Sequence, residues 1–420
     1  MRKWKKNIPE GTRDILFQDC ADKRYIENIL KKVYLDRGFV EIVTPTLEFY
    51  DVFDGDNIWI EQEKLYKLFD NRGRIMVLRP DMTTPAARLA ATKLRDSYYP
   101  IKFCYSANVF RANENLNGKK NEFTQSGVEI LGSGELKADI EVIATAMKAM
   151  IKAGITNFKL ELGQIDFFKG IVENLDLEDE EKESIRSFIE NKNFGALKDF
   201  LLERKAGLSK SDMEILNKLP ALFGDIKVLD TARKLLNQLK QGDKIKQAFE
   251  ALNNLENIYD ILVTMGFKDY LTVDLGMVHH IDYYTGLIFR AYIDEAGDEI
   301  LSGGRYDKLV KNFGADIPAT GFAINVDGIL EYFHKQGRKN FVNINADYII
   351  HYDYKSTDIA NKLADRIISK GFACEMSFFS KREETVEYSS KKGIKNIIFI
   401  KDESTYIYDV ESKEEKEFQL

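Results

Sequence analysis

The 420-residue sequence contains little cysteine, and its three cysteines (Cys20, Cys104 and Cys374) lie far apart without any CxxC pair. These spacings argue against a disulfide scaffold and a zinc knuckle, so we interpret the cysteines as buried apolar residues. No apolar run approaches the roughly 18–20 residues that a membrane-spanning helix requires. After the basic start MRKWKK, Pro9 and Glu10 stand where a signal peptide needs an apolar stretch. We expect a cytoplasmic protein with no membrane partner and no metal or cofactor.

Basic residues are not in excess. The 61 Lys and Arg residues against 68 Asp and Glu residues give a net charge of −7. A domain that neutralises nucleic-acid phosphates is usually basic, so the net charge argues against nucleic-acid binding. The argument is weak because a local basic patch can exist in a chain that is acidic as a whole. The hydrophobic fraction of 44% and charged fraction of 31% are typical of a globular protein. The length allows two or three domains.

The sequence texture divides the chain into four regions. Residues 1–165 alternate strand-like and helical segments, whereas 166–268 has helical periodicity with charged outer faces and indicates a helical insertion. Residues 269–335 return to a β-like texture, followed by an expected glycine-rich turn at LSGGRYDKLV and a helix-like run that begins near ATGFAINVDGILEYF. Residues 345–420 alternate β-α-β-α-β, which predicts a small α/β domain. No internal repeat is visible.

Within the first region, several elements have clear local signals. The apolar spacing of YIENILKKVYLDR predicts a helix that Gly38 ends. FVEIVTPTLEF indicates an extended segment, and YYPIKFCYSANVFR and EFTQSGVEILG predict the arms of a long hairpin. ADIEVIATAMKAMIKAGI predicts a helix that stops at Gly154.

Four polar clusters occur in order along the chain. Their members are Arg79, Asp81, Thr83 and Thr84 in VLRPDMTTPAARLA; Arg111, Gln125 and Glu129 on the hairpin; His279, Asp282, Tyr283 and Tyr284 in HHIDYYTG; and Gly303, Gly304, Arg305 and Tyr306 in GGRYD. Strand parity places Gln125, Gly127 and Glu129 on one face, and the glycine leaves room for a ligand. Taken singly, each cluster also fits ordinary packing, ion pairing or a turn. Their combination in one chain favours a functional site.

The ordered clusters resemble the histidyl branch of the class II aminoacyl-tRNA synthetases. PEGTRD at 9–14 is similar to that family's start, RPDMT to its amino-group segment, and FRANE…EFTQSGVE to motif 2, where Arg111 would hold a carboxylate or phosphate. DYYTG and GGRYD resemble its two histidine-specific segments, and ATGFAI the start of motif 3. The resemblance covers roughly 9–330. It implies an α+β fold, with a class II synthetase-like antiparallel sheet core flanked by helices, a helical insertion and a small C-terminal α/β domain like a shortened anticodon-binding domain.

The resemblance implies a histidine pocket formed by eight residues: Asp81, Thr83, Arg111, Gln125, Glu129, Tyr283, Tyr284 and Tyr306. Asp81, Thr83 and Gln125 would take the α-amino end, Glu129 and Tyr284 would address the imidazole, and the other two tyrosines would shape the wall. An ammonium needs acceptors, and an imidazole has one nitrogen donor and one nitrogen acceptor to satisfy. Such a pocket would reject amino acids that leave its buried polar groups unpaired.

Two departures from the synthetase pattern argue against ligation. His279 stands where that family has an arginine that stabilises charge during adenylate formation, and Asp327 is followed by Gly328 where motif 3 has an arginine. The hairpin loop has Lys119 and Lys120 where the family places arginine, which keeps charge but not bidentate geometry. Losing one preorganised cation costs on the order of 10²–10³ in rate. We therefore predict no catalytic residues.

A chain that keeps the histidine pocket but lacks the ligase arginines resembles the synthetase-like regulatory subunits of ATP phosphoribosyltransferase. That resemblance implies a short-form catalytic subunit as partner and no tRNA partner. It also implies that free histidine binds as ligand and acts as feedback inhibitor of histidine biosynthesis. The chain would form a homodimer within a hetero-oligomer. A divergent but active histidyl-tRNA synthetase is the main alternative, and histidine-dependent pyrophosphate exchange would distinguish it. A synthetase-like protein for another ligand is the third, which calorimetry with free histidine would test.

Overall fold

The computed structural model describes residues 5–55, 60–113, 120–204, 208–278, 283–293, 299–401 and 404–417. The chain forms two compact units, one made of Met1–Leu16 with Asp22–Lys339 and the other of Phe17–Ala21 with Asn340–Leu420. The helical region 166–268 belongs to the first unit together with the sheet core. The predicted domain boundaries stay a prediction.

The first unit combines helices and strands in mixed order. Outside the helical region its helices are α1 (Phe17–Asp36, of which Phe17–Ala21 belongs to the second unit), α2 (Thr83–Ala91), α3 (Leu136–Lys152), α10 (Asp307–Lys311) and α11 (Val326–Lys335). Its strands are β1 (Val40–Glu41), β2 (Leu47–Phe49), β3 (Lys67–Phe69), β4 (Ile75–Leu78), β5 (Ile101–Phe110), β6 (Glu122–Leu131), β7 (Phe158–Gln164), β8 (Phe223–Gly224), β9 (Leu271–Asp274), β10 (Leu287–Ile293), β11 (Glu299–Arg305) and β12 (Ala319–Asn325).

In the described residues, nine strands form one sheet in the order β1-β5-β6-β12-β11-β10-β7-β9-β8. Its pairs are antiparallel except β1 with β5 and β7 with β9. The strands β2, β4 and β3 form a separate small antiparallel sheet. Helices α3 and α11 pack on the large sheet through β12, β6 and β11. An antiparallel sheet flanked by helices confirms the predicted α+β core.

The predicted ends of two helices follow from glycine geometry. Gly38 has φ 78° and Gly154 has φ 90°, both in the left-handed region that glycine adopts without steric cost. The Gly38 amide donates to the Leu35 carbonyl at 2.9 Å and the Phe39 amide to the Tyr34 carbonyl at 3.1 Å, which satisfies carbonyls at the end of α1. Helix α1 begins at Phe17, earlier than its apolar periodicity predicts.

The hairpin of β5 and β6 has the register that brings its polar residues into the core. Gln125, Gly127 and Glu129 pair with Ala107, Tyr105 and Phe103 on one side. On the other side β12 pairs with the same three residues of β6. The predicted hairpin is therefore confirmed, and β6 lies inside the sheet rather than at its edge.

The glycine-rich turn expected at LSGGRYDKLV is wrong, because Glu299–Arg305 is the interior strand β11. A Cβ at Gly303 would lie 2.4 Å from the Gly321 carbonyl oxygen, and one at Gly304 would lie 2.5 Å from the Leu287 carbonyl oxygen. The two glycines are required by close approach within the sheet, not by a turn. This requirement depends on neighbouring strands that the local sequence does not reveal.

The helix-like run expected from Ala319 is only partly helical. Ala319–Asn325 forms β12, and α11 begins at Val326, where the Asn325 side chain accepts the Gly328 amide at 3.2 Å. The asparagine cap marks the change from strand to helix.

The helical region 166–268 contains α4 (Ile165–Val172), α5 (Asp179–Glu190), α6 (Phe194–Glu203), α7 (Lys210–Lys218), α8 (Val228–Leu236) and α9 (Asp243–Thr264). Helix α9 packs against α3, α4 and β7, and the short strand β8 pairs with β9. The predicted helical content is confirmed, and these contacts join the region to the sheet core.

The second unit contains α12 (Thr357–Ser369), α13 (Arg382–Lys392), β13 (Tyr348–His351), β14 (Cys374–Met376), β15 (Asn396–Lys401), β16 (Ser404–Asp409) and β17 (Glu415–Glu417). Its strands form a sheet in the order β14-β13-β15-β16-β17, with β13 parallel to both β14 and β15. The predicted β-α-β-α-β alternation is confirmed.

The cysteines are free thiols, with Cys104 buried, Cys374 half-buried and Cys20 exposed. The interpretation of all three as buried is wrong for Cys20, which lies near the start of α1. Among the described residues, no helix is both long enough and apolar enough to span a membrane.

Candidate functional site

A cavity of about 350 Å³, here called the sheet cavity, is bounded by strands β6, β10, β11 and β12 and by the start of α2. Its volume lies within the range of about 300–1,000 Å³ of small-molecule pockets. The structure places seven of the eight predicted histidine-site residues on its lining: Asp81, Thr83, Arg111, Gln125, Tyr283, Tyr284 and Tyr306. The eighth, Glu129, bonds to two of them.

Glu129 is a fully buried carboxylate with three hydroxyl donors. Thr83 Oγ1 donates to Oε1 at 2.8 Å and the Tyr105 hydroxyl donates to the same oxygen at 2.9 Å. The Tyr306 hydroxyl donates to Oε2 at 2.5 Å. A carboxylate has about four acceptor positions, so these bonds leave Oε2 able to accept one more donor. Glu129 itself is not on the lining, and its bonds to Thr83 and Tyr306 link it to the cavity.

Burial raises the pKa of Glu129 to about 7, while its bonds from Tyr306, Thr83 and Tyr105 act in the opposite direction. Desolvation disfavours the charged carboxylate, and hydroxyl donors favour it. Glu129 is therefore poised to gain or lose a proton near neutral pH, and an additional cationic or N–H donor would favour the ionised form.

A glycine of the neighbouring strand makes room for this carboxylate. A Cβ at Gly321 would lie 1.6 Å from Glu129 Oε2 and 2.5 Å from the Val128 carbonyl oxygen. Gly127 on β6 allows a different close approach, since a Cβ there would lie 2.2 Å from the Phe322 carbonyl oxygen and 2.9 Å from the Tyr105 hydroxyl. Any larger side chain at these positions would displace the site.

Three tyrosines form an aromatic wall. The rings of Tyr283 and Tyr306 stack at a centroid distance of 5.7 Å, and Tyr284 meets Tyr283 edge-on at 4.8 Å. Burial raises the pKa of all three phenols above the usual value. Their hydroxyls stay protonated at neutral pH and serve as hydrogen-bonding groups beside flat aromatic surfaces.

Of the three residues predicted to take the α-amino end, Asp81 and Thr83 lie at the start of α2 and Gln125 lies on β6. Asp81 is 2% exposed, and its carboxylate accepts the Thr84 amide at 2.8 Å and the Thr84 hydroxyl at 3.1 Å. Gln125 Oε1 accepts the Met82 amide at 3.3 Å. These bonds orient two acceptor groups on the cavity. The Thr83 hydroxyl hydrogen points to Glu129, so towards a ligand this oxygen can only accept.

Arg111 provides positive charge on the cavity lining. Its Nε donates to the Pro80 carbonyl at 2.9 Å, and its guanidinium lies 5.0 Å from the centre of the Phe123 ring. The stacking and the hydrogen bond hold the guanidinium plane in place, which suits a planar carboxylate or a phosphate.

Sequence reasoning missed Tyr105, which holds Glu129 from β5. The signal available was strand pairing, because a large residue opposite Gly127 fills the space that the glycine leaves. A Cβ at Gly127 would come within 2.9 Å of the Tyr105 hydroxyl. Recognising this required the hairpin register.

A second missed group lies at another part of the lining. Arg290 bridges Glu161 at 2.8 Å and Asp274 at 3.3 Å, and its guanidinium lies 5.2 Å from the centre of the Tyr292 ring. Arg290 and Glu161 face each other across β10 and β7, so cross-strand pairing would have identified the pair. Both carboxylates already engage this arginine.

Of the predicted departures, His279 and Lys119 lie outside the described residues. Gly328 lies in the first turn of α11 and carries no cation. Lys120 forms an ion pair with Glu331. Among the described residues, no group of three or more His, Cys, Asp or Glu side chains is arranged to hold a metal ion.

Comparison with known proteins decides the family. The histidyl-tRNA synthetase family profile matches residues 11–329. The ATP phosphoribosyltransferase regulatory subunit of Clostridium botulinum (strain Langeland) is 46% identical over 415 residues, covering 98% of this chain and 96% of the relative. The chain belongs to the ATP phosphoribosyltransferase regulatory subunit family.

Solved structures agree with that family and its fold. A Bacillus halodurans protein described as an ATP phosphoribosyltransferase regulatory subunit/histidyl-tRNA synthetase is 31% identical, with a TM-score of 0.82 over 94% of this chain and 98% of that one. Histidyl-tRNA synthetase from Nostoc is 21% identical, with a TM-score of 0.80 over 98% of this chain and 96% of that one. This second likeness shows the fold alone. The class II synthetase-like fold predicted from the ordered motifs is confirmed.

Proposed function

We propose that this chain binds free histidine in the sheet cavity and conveys feedback inhibition to a short-form catalytic subunit of ATP phosphoribosyltransferase. The observation that carries the proposal is Glu129, a buried carboxylate that has three hydroxyl donors and one acceptor position left. An imidazole N–H would complete that set, whereas an aliphatic side chain would leave the position unsatisfied.

The rest of the cavity supports an amino-acid ligand. Asp81 and Gln125 present oxygen acceptors for an ammonium group, and Arg111 presents a cation for a carboxylate. Tyr283 supplies flat apolar surface against which an imidazole ring can pack, and the hydroxyl of the neighbouring Tyr284 would bond to the ring. These groups support a ligand that carries an ammonium, a carboxylate and an aromatic ring.

Loss of ligase activity is the second part of the proposal. Gly328 offers no guanidinium at the start of α11, and His279 replaces an arginine in the sequence. A neutral histidine cannot reproduce the fixed fork of an arginine. We therefore expect no tRNA partner and no adenylate formation, in contrast to a divergent active histidyl-tRNA synthetase.

A homodimer within a hetero-oligomer is the third part. The small sheet of β2, β4 and β3 exposes three apolar side chains that its register puts on one face, with exposed fractions of 45% for Leu47, 44% for Phe49 and 40% for Leu68. Clustered apolar side chains on a surface mark an interaction site, and the class II resemblance implies homodimerisation. The cytoplasmic location stays a prediction.

The test combines binding, reconstitution and exchange. The full chain is titrated with histidine by calorimetry, and it is mixed with a short-form catalytic subunit while phosphoribosyl transfer is measured with and without histidine. We expect saturable binding, activation by the chain and inhibition by histidine. Histidine-dependent pyrophosphate exchange by the chain would contradict the regulatory function, and absence of histidine binding would contradict the sensing site.

Variants locate the sensing site and the dimer surface. Tyr284→Phe should weaken histidine inhibition while leaving the complex with the catalytic subunit intact in ultracentrifugation. Leu68→Glu should dissociate the homodimer, whereas Phe378→Glu, at a side chain 94% exposed in the second unit, serves as its control. Unchanged inhibition in the Tyr284 variant would place histidine elsewhere, and a dimer that tolerates Leu68→Glu would remove the small sheet from the interface.

A further inference from the structure

The segment Pro9–Arg13, here called the N-terminal clamp, lies across the end of the β5–β6 hairpin. The Gly11 carbonyl accepts the amides of Asn121 at 2.8 Å and Glu122 at 3.3 Å. The Asn121 side chain in turn donates to the Glu10 carbonyl at 3.1 Å. The clamp therefore bonds to Asn121, which precedes β6, and to Glu122, its first residue.

Glycine is required at the centre of the clamp. Gly11 has φ 73°, and a Cβ there would lie 2.5 Å from Asn121 Cγ. Both the left-handed backbone and the close approach exclude a larger residue without displacement. This explains a glycine in the PEGTRD motif that the cavity itself does not use.

Arg13 ties the clamp to a buried carboxylate at the start of α11. Asp327 is 2% exposed and accepts Arg13 Nη2 at 2.8 Å and the Thr124 amide at 2.8 Å, with the Nζ atoms of Lys23 and Lys120 each at 3.7 Å. Although burial opposes ionisation, Lys23, the Thr124 amide, Lys120 and Arg13 together lower the pKa of Asp327. The carboxylate is ionised and joins the clamp, α11 and β6.

The same bonds reach the residues that line the sheet cavity. Thr124 stands between Phe123 and Gln125, both on the lining. The Arg111 amide donates to the Asn121 carbonyl at 2.8 Å, so the clamped residue also positions the residue that follows the end of β5, the other hairpin arm. Neither the clamp nor Asp327 lies on the lining.

We propose that the N-terminal clamp is a positioning device for the ligand site, in which Gly11 and Arg13 hold the hairpin so that Arg111 and Gln125 keep their places on the sheet cavity. The clamp sets ligand affinity without contacting the ligand. The effect on affinity rests on the proposed function, that the cavity binds histidine. The effect on the hairpin is independent of it.

Matched variants of the full chain test the proposal. Arg13→Ala removes the bond to Asp327, and Arg204→Ala removes a comparably exposed arginine that pairs with Glu181 in the helical region. Gly11→Ala adds backbone strain and the close contact, whereas Gly73→Ala adds the same strain at φ 77° with nothing within 4 Å of the new Cβ. Arg13→Lys restores the charge.

The readouts are hydrogen exchange without ligand and calorimetry with histidine. In Arg13→Ala and Gly11→Ala, we expect faster exchange of the Asn121, Glu122 and Thr124 amides and about tenfold weaker histidine binding, with partial recovery in Arg13→Lys. The Arg204 and Gly73 variants should match the wild type in both. These controls separate the clamp from general loss of stability.

Two results would overturn the clamp. Unchanged exchange at the three amides means that the segment does not hold the hairpin, and faster exchange with wild-type affinity means that the hairpin end does not serve the site. A wild-type chain that does not bind histidine contradicts the proposed function instead, and the exchange measurement still decides whether the clamp fixes the hairpin.

Discussion

Replacing Glu129 by glutamine isolates the chemistry of the buried carboxylate. The substitution keeps the size of the side chain and turns one acceptor oxygen into an amide donor. The amide oxygen can still accept Thr83 and Tyr105, which share Oε1, but the Tyr306 hydroxyl then faces an NH2 group and must accept. The negative charge and the remaining acceptor position for a ligand N–H are both lost.

The magnitude follows from that lost acceptor. A hydrogen bond to a charged group contributes about 1.5–3 kcal/mol. Each 1.4 kcal/mol is about a factor of ten in affinity. Histidine should therefore bind Glu129→Gln about 10- to 150-fold more weakly than the wild type, while the fold is kept because the three hydroxyls still find partners.

Calorimetry at pH 8 measures this difference, because Glu129, with a pKa of about 7, is then mostly ionised. Glu48→Gln is the matched control, since Glu48 is a buried carboxylate whose partner Arg88, at 2.6 Å, does not line the sheet cavity, whereas Glu129 bonds to the lining residues Thr83 and Tyr306. The control should bind histidine like the wild type. Wild-type affinity in Glu129→Gln would refute Glu129 as the imidazole acceptor.

Three further predictions follow from the same site. Burial raises the pKa of Glu129 to about 7, so its protonation contributes stability that is fully present below about pH 4.5 and is lost as pH rises through 7. The Tm of the ligand-free wild type should therefore fall relative to that of Glu129→Gln between pH 4.5 and 8. Parallel Tm curves for the two proteins would contradict this. Gly321→Ala should lower stability by at least about 1–3 kcal/mol in denaturant unfolding, whereas Gly134→Ala, whose new Cβ meets nothing closer than 3.8 Å, should change it little. Gly328→Arg should fold, since a Cβ at Gly328 meets ordinary contacts at 3.5 Å and beyond. This variant should show no pyrophosphate exchange while His279 remains. Exchange activity in the variant would show that one added arginine suffices.

Local signals in the sequence determined the elements around the site. Gly38 and Gly154 end their helices through a left-handed backbone that the residue type itself favours. The alternation along β6 placed Gln125 and Glu129 on one face because side chains repeat every two residues in a strand. The ordered motifs, interpreted as a resemblance, led to the class II fold and the family.

The same local reasoning failed where neighbours in space decide the structure. The pair Gly303 and Gly304 has the appearance of a turn, but lies in β11 because adjacent strands leave no space for a Cβ. Residues 319–325 have helix-like periodicity near their end, but pairing with β6 and β11 makes them a strand. Sheet pairing overrides local preference when both edges of a segment find partners.

The composition of the site was decided by tertiary structure. Glu129 meets Thr83, 46 residues away, and Tyr306, 177 residues away. Arg13 meets Asp327 across 314 residues. Sequence alone determined which polar groups the chain carries and in what order. Only folding buried one carboxylate among three hydroxyls, since those groups come from distant parts of the chain. Its removal from water raises its pKa.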